Sequence, residues 1–171
     1  RQSSVALLEE LRERTGWTVH LAVPSGVDVL FLERFTTLRG MRAMSQYRRR
    51  WPLHTTSSGK AMAAYDPPLM EARISAGLPA YTKYTITDPA VFRRELATVR
   101  SRGYSTSRQE VMLALSSVAA PIVDSRGRAF AAVSITGADA ALGAEPDRHA
   151  RLVVAAARRI SSELAGYETS A

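Results

Sequence analysis

Residues 48–65, RRRWPLHTTSSGKAMAAY, concentrate the groups most able to do chemistry: three arginines, a histidine, four consecutive hydroxyls, a glycine and a lysine. Ser57-Ser58-Gly59-Lys60 fits Ser-x-x-Lys, in which the lysine activates the serine as a nucleophile. That chemistry also uses Ser-Asp-Asn and Lys-Thr-Gly elements. The chain has no asparagine, and Ile135-Thr136-Gly137 carries Thr-Gly without the lysine. A serine hydrolase built on Ser57 and Lys60 stays as an alternative. A phosphate-binding P-loop is excluded, because it needs glycine where His54 stands. A Ser-His-Asp triad can be written from Ser57, His54 and Asp124, but no nucleophile-elbow sequence supports it. His20, His54 and His149 lie at no ligand-like spacing, so no metal site is expected.

The same segment also reads as a binding element. Thr56 and Ser57 can cap a helix running through Ala61–Tyr65, whose free N–H groups then face whatever lies in front. Such N-termini are ready-made anion sites; the competing reading is that these hydroxyls only cap. A second group weighs toward binding. Ser117, Ser134 and Thr136 sit on or beside two apolar strands, and Ser134 and Thr136, two apart, share one sheet face. Hydroxyls so placed suggest a lined pocket, with solvent exposure as the alternative.

These residues must be held by a recognisable order of elements. Val5, Leu7, Leu8 and Leu11 have helical spacing, and Gly16 ends that helix. Residues 17–23 and 27–35 read as a hairpin about Pro24-Ser25-Gly26, and Leu38–Met44 as a third strand. Residues 66–77 read as a short helix. Asp88, Pro89 and Gly103 bracket a longer one with Val91, Phe92, Leu96 and Val99 on its apolar face. A second hairpin turns at Ser125-Arg126-Gly127. The chain closes on an amphipathic helix with Leu152, Ala155, Ala156, Ile160 and Leu164 inward. Two hairpins do not fit a doubly wound parallel sheet, so the expected class is α+β, a mostly antiparallel sheet flanked by helices. His20 is expected at the edge of the core and His149 in solvent.

Composition narrows the function classes. The 171 residues suit one domain with a full core. With 46% hydrophobic and 23% charged residues the chain is no disordered tail. The absence of cysteine removes disulfides, thiol nucleophiles and Cys-based zinc sites. No apolar run nears the roughly 20 residues of a membrane span, and no signal-peptide core precedes the first helix. A cytoplasmic protein is expected, with no membrane partner. The net charge of +7 raises the question of nucleic acid. The arginines are scattered, however, only Arg48 to Arg50 cluster, and no aromatics interleave with them as on an RNA-binding surface. This chain is not expected to bind DNA by itself.

In sequence order, TGWTVHLAV, PLHTTSSGKAMAA, TITDPAVFRRELATVRSRGYS, SVAAPIVDSRGRAFAAVSITG and the closing helix resemble the C-terminal effector-binding domain of IclR-family bacterial transcriptional regulators. The resemblance covers residues 4 to 167. It implies a GAF-like (profilin-like) fold over residues 1–171 as a single domain. It also implies a regulator whose DNA contact is made by an N-terminal winged helix-turn-helix outside this chain, which opens at the linker-proximal helix. Members work as homo-oligomers, dimers or tetramers, and sense small organic acids, including keto acids and aromatic-pathway metabolites. No catalytic residue, cofactor or metal is implied.

Carried over position by position, the resemblance puts a carboxylate-bearing effector on the backbone amides of Ser57 and Ser58. Ser107, Leu115 and Ser117 would come from the segment after Arg102-Gly103-Tyr104, Ser134 and Thr136 from the last strand, and Met44 and Trp51 would form apolar walls. His54 belongs to the shared motif and would fix the loop. The chain departs from the family pattern in three places. Ser107 and Arg108 stand at acidic positions, Ala114 stands for a glycine, and Ser57-Ser58 replaces a Gly-Ala pair. Those differences point toward a different acid, more polar or larger. A ligand-free oligomerisation module is the remaining alternative.

Overall fold

The computed structural model describes residues 3–168. The expected span of 1–171 extends past them at both ends. Six α-helices and six strands follow in order among these residues: α1 (Ser4–Thr15), β1 (Thr18–Ser25), β2 (Asp28–Phe35), α2 (Leu38–Ala43), β3 (Arg50–Pro52), α3 (Ser57–Ala64), α4 (Pro67–Ser75), α5 (Pro89–Arg102), β4 (Ser105–Arg108), β5 (Leu115–Val123), β6 (Ala129–Ala138) and α6 (Pro146–Glu168). The strands form one sheet in the order β3-β2-β1-β6-β5-β4, antiparallel throughout. The α+β class and both hairpins match the sequence reading.

The two sheet faces bury different layers. One face, with Val19, Val118, Ala120, Val133 and Ile135, packs on α1 and α6 through Leu7, Leu8, Leu11, Val153, Ala157 and Ile160. The other, with Ala22, Val29, Phe31, Ala119 and Ala132, packs on Ala61 and Met62 of α3. The far side of α3, Ala63 and Ala64, meets Phe92, Leu96 and Val99 of α5. All eight residues of α3 are buried. A helix enclosed on both sides favours small residues, as at Ser57, Ser58, Gly59, Ala61, Ala63 and Ala64, with Lys60 and Met62 as the two large buried side chains. Burying Phe92 alone contributes about 1.5–3 kcal/mol.

Four local expectations are corrected. Leu38–Ala43 is a helix, not a strand: Leu, Arg, Met and Ala are helix formers and no β-branched residue lies within the segment, and Thr37 caps the turn by accepting the Gly40 N–H at 3.0 Å. The strand beyond β2 is instead β3, which pairs Trp51 with Val29. Strand β4 was not anticipated, because it buries Ser105 and Ser107 rather than apolar side chains. Val91 and Ala155 face outward; Ala155 does so because Val153, Ala156, Ala157 and Ile160 form the inner stripe of α6, with Leu152 and Leu164 half-buried beside it.

Candidate functional site

Strand register assembles a polar face opposite α3. One row across four strands reads Thr18, Thr136, Ser117, Ser107. The next reads His20, Ser134, Ala119, Ser105. Alternate residues share a face, so these side chains lie on the side that carries Ala22, Ala132 and Leu115 in the α3 layer. Every hydroxyl in both rows is buried. Hydroxyls occupy positions where an ordinary core places methyl groups.

Helix α3 starts on this surface. Thr56 caps it, its Oγ1 accepting the Gly59 N–H at 2.9 Å, and the Lys60 N–H goes to the Thr56 carbonyl. The Ser57 and Ser58 N–H groups remain as ones the helix itself cannot satisfy. The helix is fixed to the sheet by hydrogen bonds among small side chains. Ser57 Oγ and Ser117 Oγ are 2.6 Å apart, Ser105 donates to the Ser57 carbonyl, and Ser107 donates to the Thr55 carbonyl at 2.9 Å. A Cβ at Gly59 would overlap the Leu53 carbonyl, so only glycine allows this approach. His54 fixes the preceding turn, with Nε2 2.9 Å from the Pro79 carbonyl, as the motif implied.

Lys60 is 0% exposed and ion-paired, its Nζ 2.8 Å from Glu110 and 3.4 Å from Glu95. Its ammonium is committed to carboxylates, and the Ser57 hydroxyl to Ser117. The Ser-x-x-Lys residues therefore do not form a nucleophile–base pair. No local pattern signals this buried pairing, since Lys60 and Glu110 meet across 50 residues.

An aromatic run borders the polar face: His20 lies 4.4 Å from Phe31 and 5.7 Å from Tyr47, and Tyr47 lies 5.6 Å from Trp51. Met44 and Trp51 belong to this same buried cluster with Leu115 and Met62. Arg48 covers the Trp51 ring at 4.0 Å, so one arginine of the basic cluster shields this wall. His20 is fully buried rather than at the core edge. Burial, reinforced by the Arg34 guanidinium, lowers it to about 3. Burial also pushes the Tyr47 phenol up, against the pull of Arg34. His149 is half-buried, not solvated, and accepts the Trp17 indole N–H at 3.3 Å.

Among the described residues, the buried Ser58 Oγ, Trp51 Nε1, His20 Nδ1 and His54 Nδ1 have no hydrogen-bond partner. Each leaves a cost of about 1–3 kcal/mol. Three belong to the polar face and its aromatic border. Cavities lie at either end of the hydroxyl row: one of about 220 Å³ touches Thr18, Thr136 and Arg39, and one of about 150 Å³, lined by Ser116, Leu142 and Gly143 on the α6 side of the sheet, reaches Ser107 and Ser117. Of the nine residues expected at the pocket, Thr136 touches the first cavity and Ser107 and Ser117 the second, while Ser57, Ser58, Ser134, Leu115, Met44 and Trp51 are buried and line neither. His20 and Lys60 are what sequence reasoning missed.

Known proteins share this architecture. Residues 1–162 match the family model described as bacterial transcriptional regulator IclR C-terminal. The chain is 36% identical over 166 residues to the HTH-type transcriptional regulator BhcR of Paracoccus denitrificans, covering 93% of this chain and 58% of that protein. The Thermotoga maritima IclR crystal structure superposes with a TM-score of 0.87 at 27% identity, over 95% of this chain and 67% of that one. An IclR homolog from Microbacterium hydrocarbonoxydans, complexed with 4-hydroxybenzoate, superposes with a TM-score of 0.83 at 28% identity, over 94% of this chain and 66% of that one. The chain spans roughly half to two thirds of the length of such curated relatives.

Proposed function

The chain belongs to the family of IclR-type bacterial transcriptional regulator C-terminal domains, and on that premise we propose that it senses a small organic acid. The acid's carboxylate sits at the N-terminus of α3, against the Ser57 and Ser58 amides. Ser107, Ser117, Ser134 and Thr136 line the polar side, and Leu115, Met44 and Trp51 the apolar side. The observation that carries this reading is the Ser58 hydroxyl, 1% exposed and unpartnered at the start of a buried helix. An anion there meets both the helix dipole and unsatisfied donors. The likeness to a 4-hydroxybenzoate complex supports the same class of ligand.

Sensing then works by differential affinity. Donors left unpaired without ligand are satisfied in one arrangement of a homo-oligomer, dimer or tetramer, and the acid shifts the population toward it. In the full-length regulator that shift alters DNA binding by a separate N-terminal winged helix-turn-helix, in the cytoplasm where the operator lies. Within this chain, residues 1–171 form the single sensing domain. No helix among the described residues is long and apolar enough to cross a membrane.

Thermal-shift titration with mono- and dicarboxylic, keto and aromatic acids tests the reading. At least one acid should raise the melting temperature by a few degrees, and Ser134→Val should abolish that shift. The reading fails if no acid stabilises the protein, or if Ser134→Val responds as the wild type does.

A further inference from the structure

Resting on the acid-sensing reading, we infer that the effector carries a second hydrogen-bond acceptor besides its carboxylate, and that His20, with Trp51, selects for it. Two of the orphaned side-chain atoms on the aromatic border are donors. Arg34 Nε donates to His20 Nε2 at 2.9 Å, so Nε2 has no proton. The neutral imidazole must then carry its proton on Nδ1, which is the buried atom without a partner. Trp51 Nε1 can only donate. Both orphans on the aromatic border are therefore N–H groups waiting for an acceptor.

Position separates these donors from the carboxylate end. Ser58 lies three and four residues before Ala61 and Met62, and so shares their helix face toward the sheet. His20 sits two residues before Ala22 on β1, opposite Ser134. Trp51 comes from β3, two strands from β1, and joins His20 through the Tyr47 ring. One ligand in the layer between α3 and the sheet thus meets donors from two directions. His54 is not part of this set. Its Nε2 donates to the Pro79 carbonyl, so its orphaned Nδ1 is an acceptor, and its ring packs edge-on to Phe92 of α5.

A site that desolvates donors for a second acceptor rejects the analogue lacking one, because the donors then stay unpaired. A monofunctional acid should bind weakly. Keto, hydroxyl and second-carboxylate oxygens all supply the acceptor, and matched skeletons tell them apart.

Calorimetric titration uses benzoate against 3-hydroxybenzoate, 4-hydroxybenzoate and terephthalate, and butyrate against 3-oxobutanoate and succinate. In at least one series a two-acceptor acid should bind about tenfold or more tightly than its parent. His20→Phe should bring that ratio close to one while the parent's affinity changes by no more than about twofold. His20→Gln, which keeps an N–H donor, should retain part of the ratio. Trp51→Phe keeps a ring wall without the N–H and should also reduce it, which preserves the test if His20→Phe does not fold. Equal binding of parents and derivatives overturns the inference and leaves acid sensing intact. So does a ratio untouched by both substitutions. Binding of no acid at all overturns the sensing reading, and this inference with it.

Discussion

Ser57 Oγ and Ser117 Oγ lie 2.6 Å apart, both buried, and their hydrogen bond ties the first turn of α3 to strand β5. Either hydroxyl alone becomes an unsatisfied polar group in the core. Ser57→Ala or Ser117→Ala should each cost about 1–2 kcal/mol in urea unfolding, and the double variant less than the sum. Additive losses would mean the two hydroxyls do not depend on each other.

Lys60 shares the buried face of the same helix, held by Glu110 and Glu95. Lys60→Ala removes the cation and leaves a largely buried carboxylate at Glu110, a loss of about 3–5 kcal/mol. Adding Glu110→Gln should recover part of it. The same commitment predicts that a fluorophosphonate serine probe leaves Ser57 unlabelled. Labelling that disappears in Ser57→Ala would revive the hydrolase alternative.

Gly59 lets α3 start against the Leu53 carbonyl, which is backbone and cannot move aside cheaply. Gly59→Ala should therefore destabilise by at least about 2 kcal/mol, despite alanine's better helix propensity. Equilibrium unfolding checks this, and a neutral or stabilising result would contradict the close approach.

Acid should weaken the fold, and His20 sets the window. Burial, then Arg34, lowers it from 6.5 to about 3. The unfolded chain therefore takes up a proton as pH falls below about 6.5, while the folded chain stays neutral until about 3. Stability is full above 6.5 and declines as pH drops through that interval. The slope approaches about 1.4 kcal/mol per unit for this one group. His54 is lowered as well, mainly by burial, and adds in the same direction. Between pH 7 and 4.5, His20→Phe should lose roughly 2–3 kcal/mol less than the wild type. Equal losses would show that His20 is not held neutral.

The parts of the fold legible from the chain were those with local signals. Asp88, Pro89 and Gly103 bounded α5, and two apolar runs about a Ser-Arg-Gly turn marked the β5–β6 hairpin. Strand β4 was hidden because its inward residues are serines, the inverse of the usual pattern. Strand β3 was hidden because three residues leave no period to read. The candidate site was read from the family motif at Ser57 and Ser58, and at Ser134 and Thr136 from their shared strand face as well. His20 escaped because its importance comes from Arg34, Phe31 and Tyr47 around it, and none of these is adjacent in sequence. Trp51 was read as a wall, since its unpartnered indole N–H is visible only once the neighbours are placed.

A crystal structure of the chain with the tightest-binding acid tests the central claim most directly. The carboxylate should lie against the Ser57 and Ser58 amides, within hydrogen-bond reach of the Ser58 hydroxyl, in the layer shared with Ser134 and Thr136. An acid found instead in the cavity beside Trp17 and Arg39, with the start of α3 untouched, would contradict it.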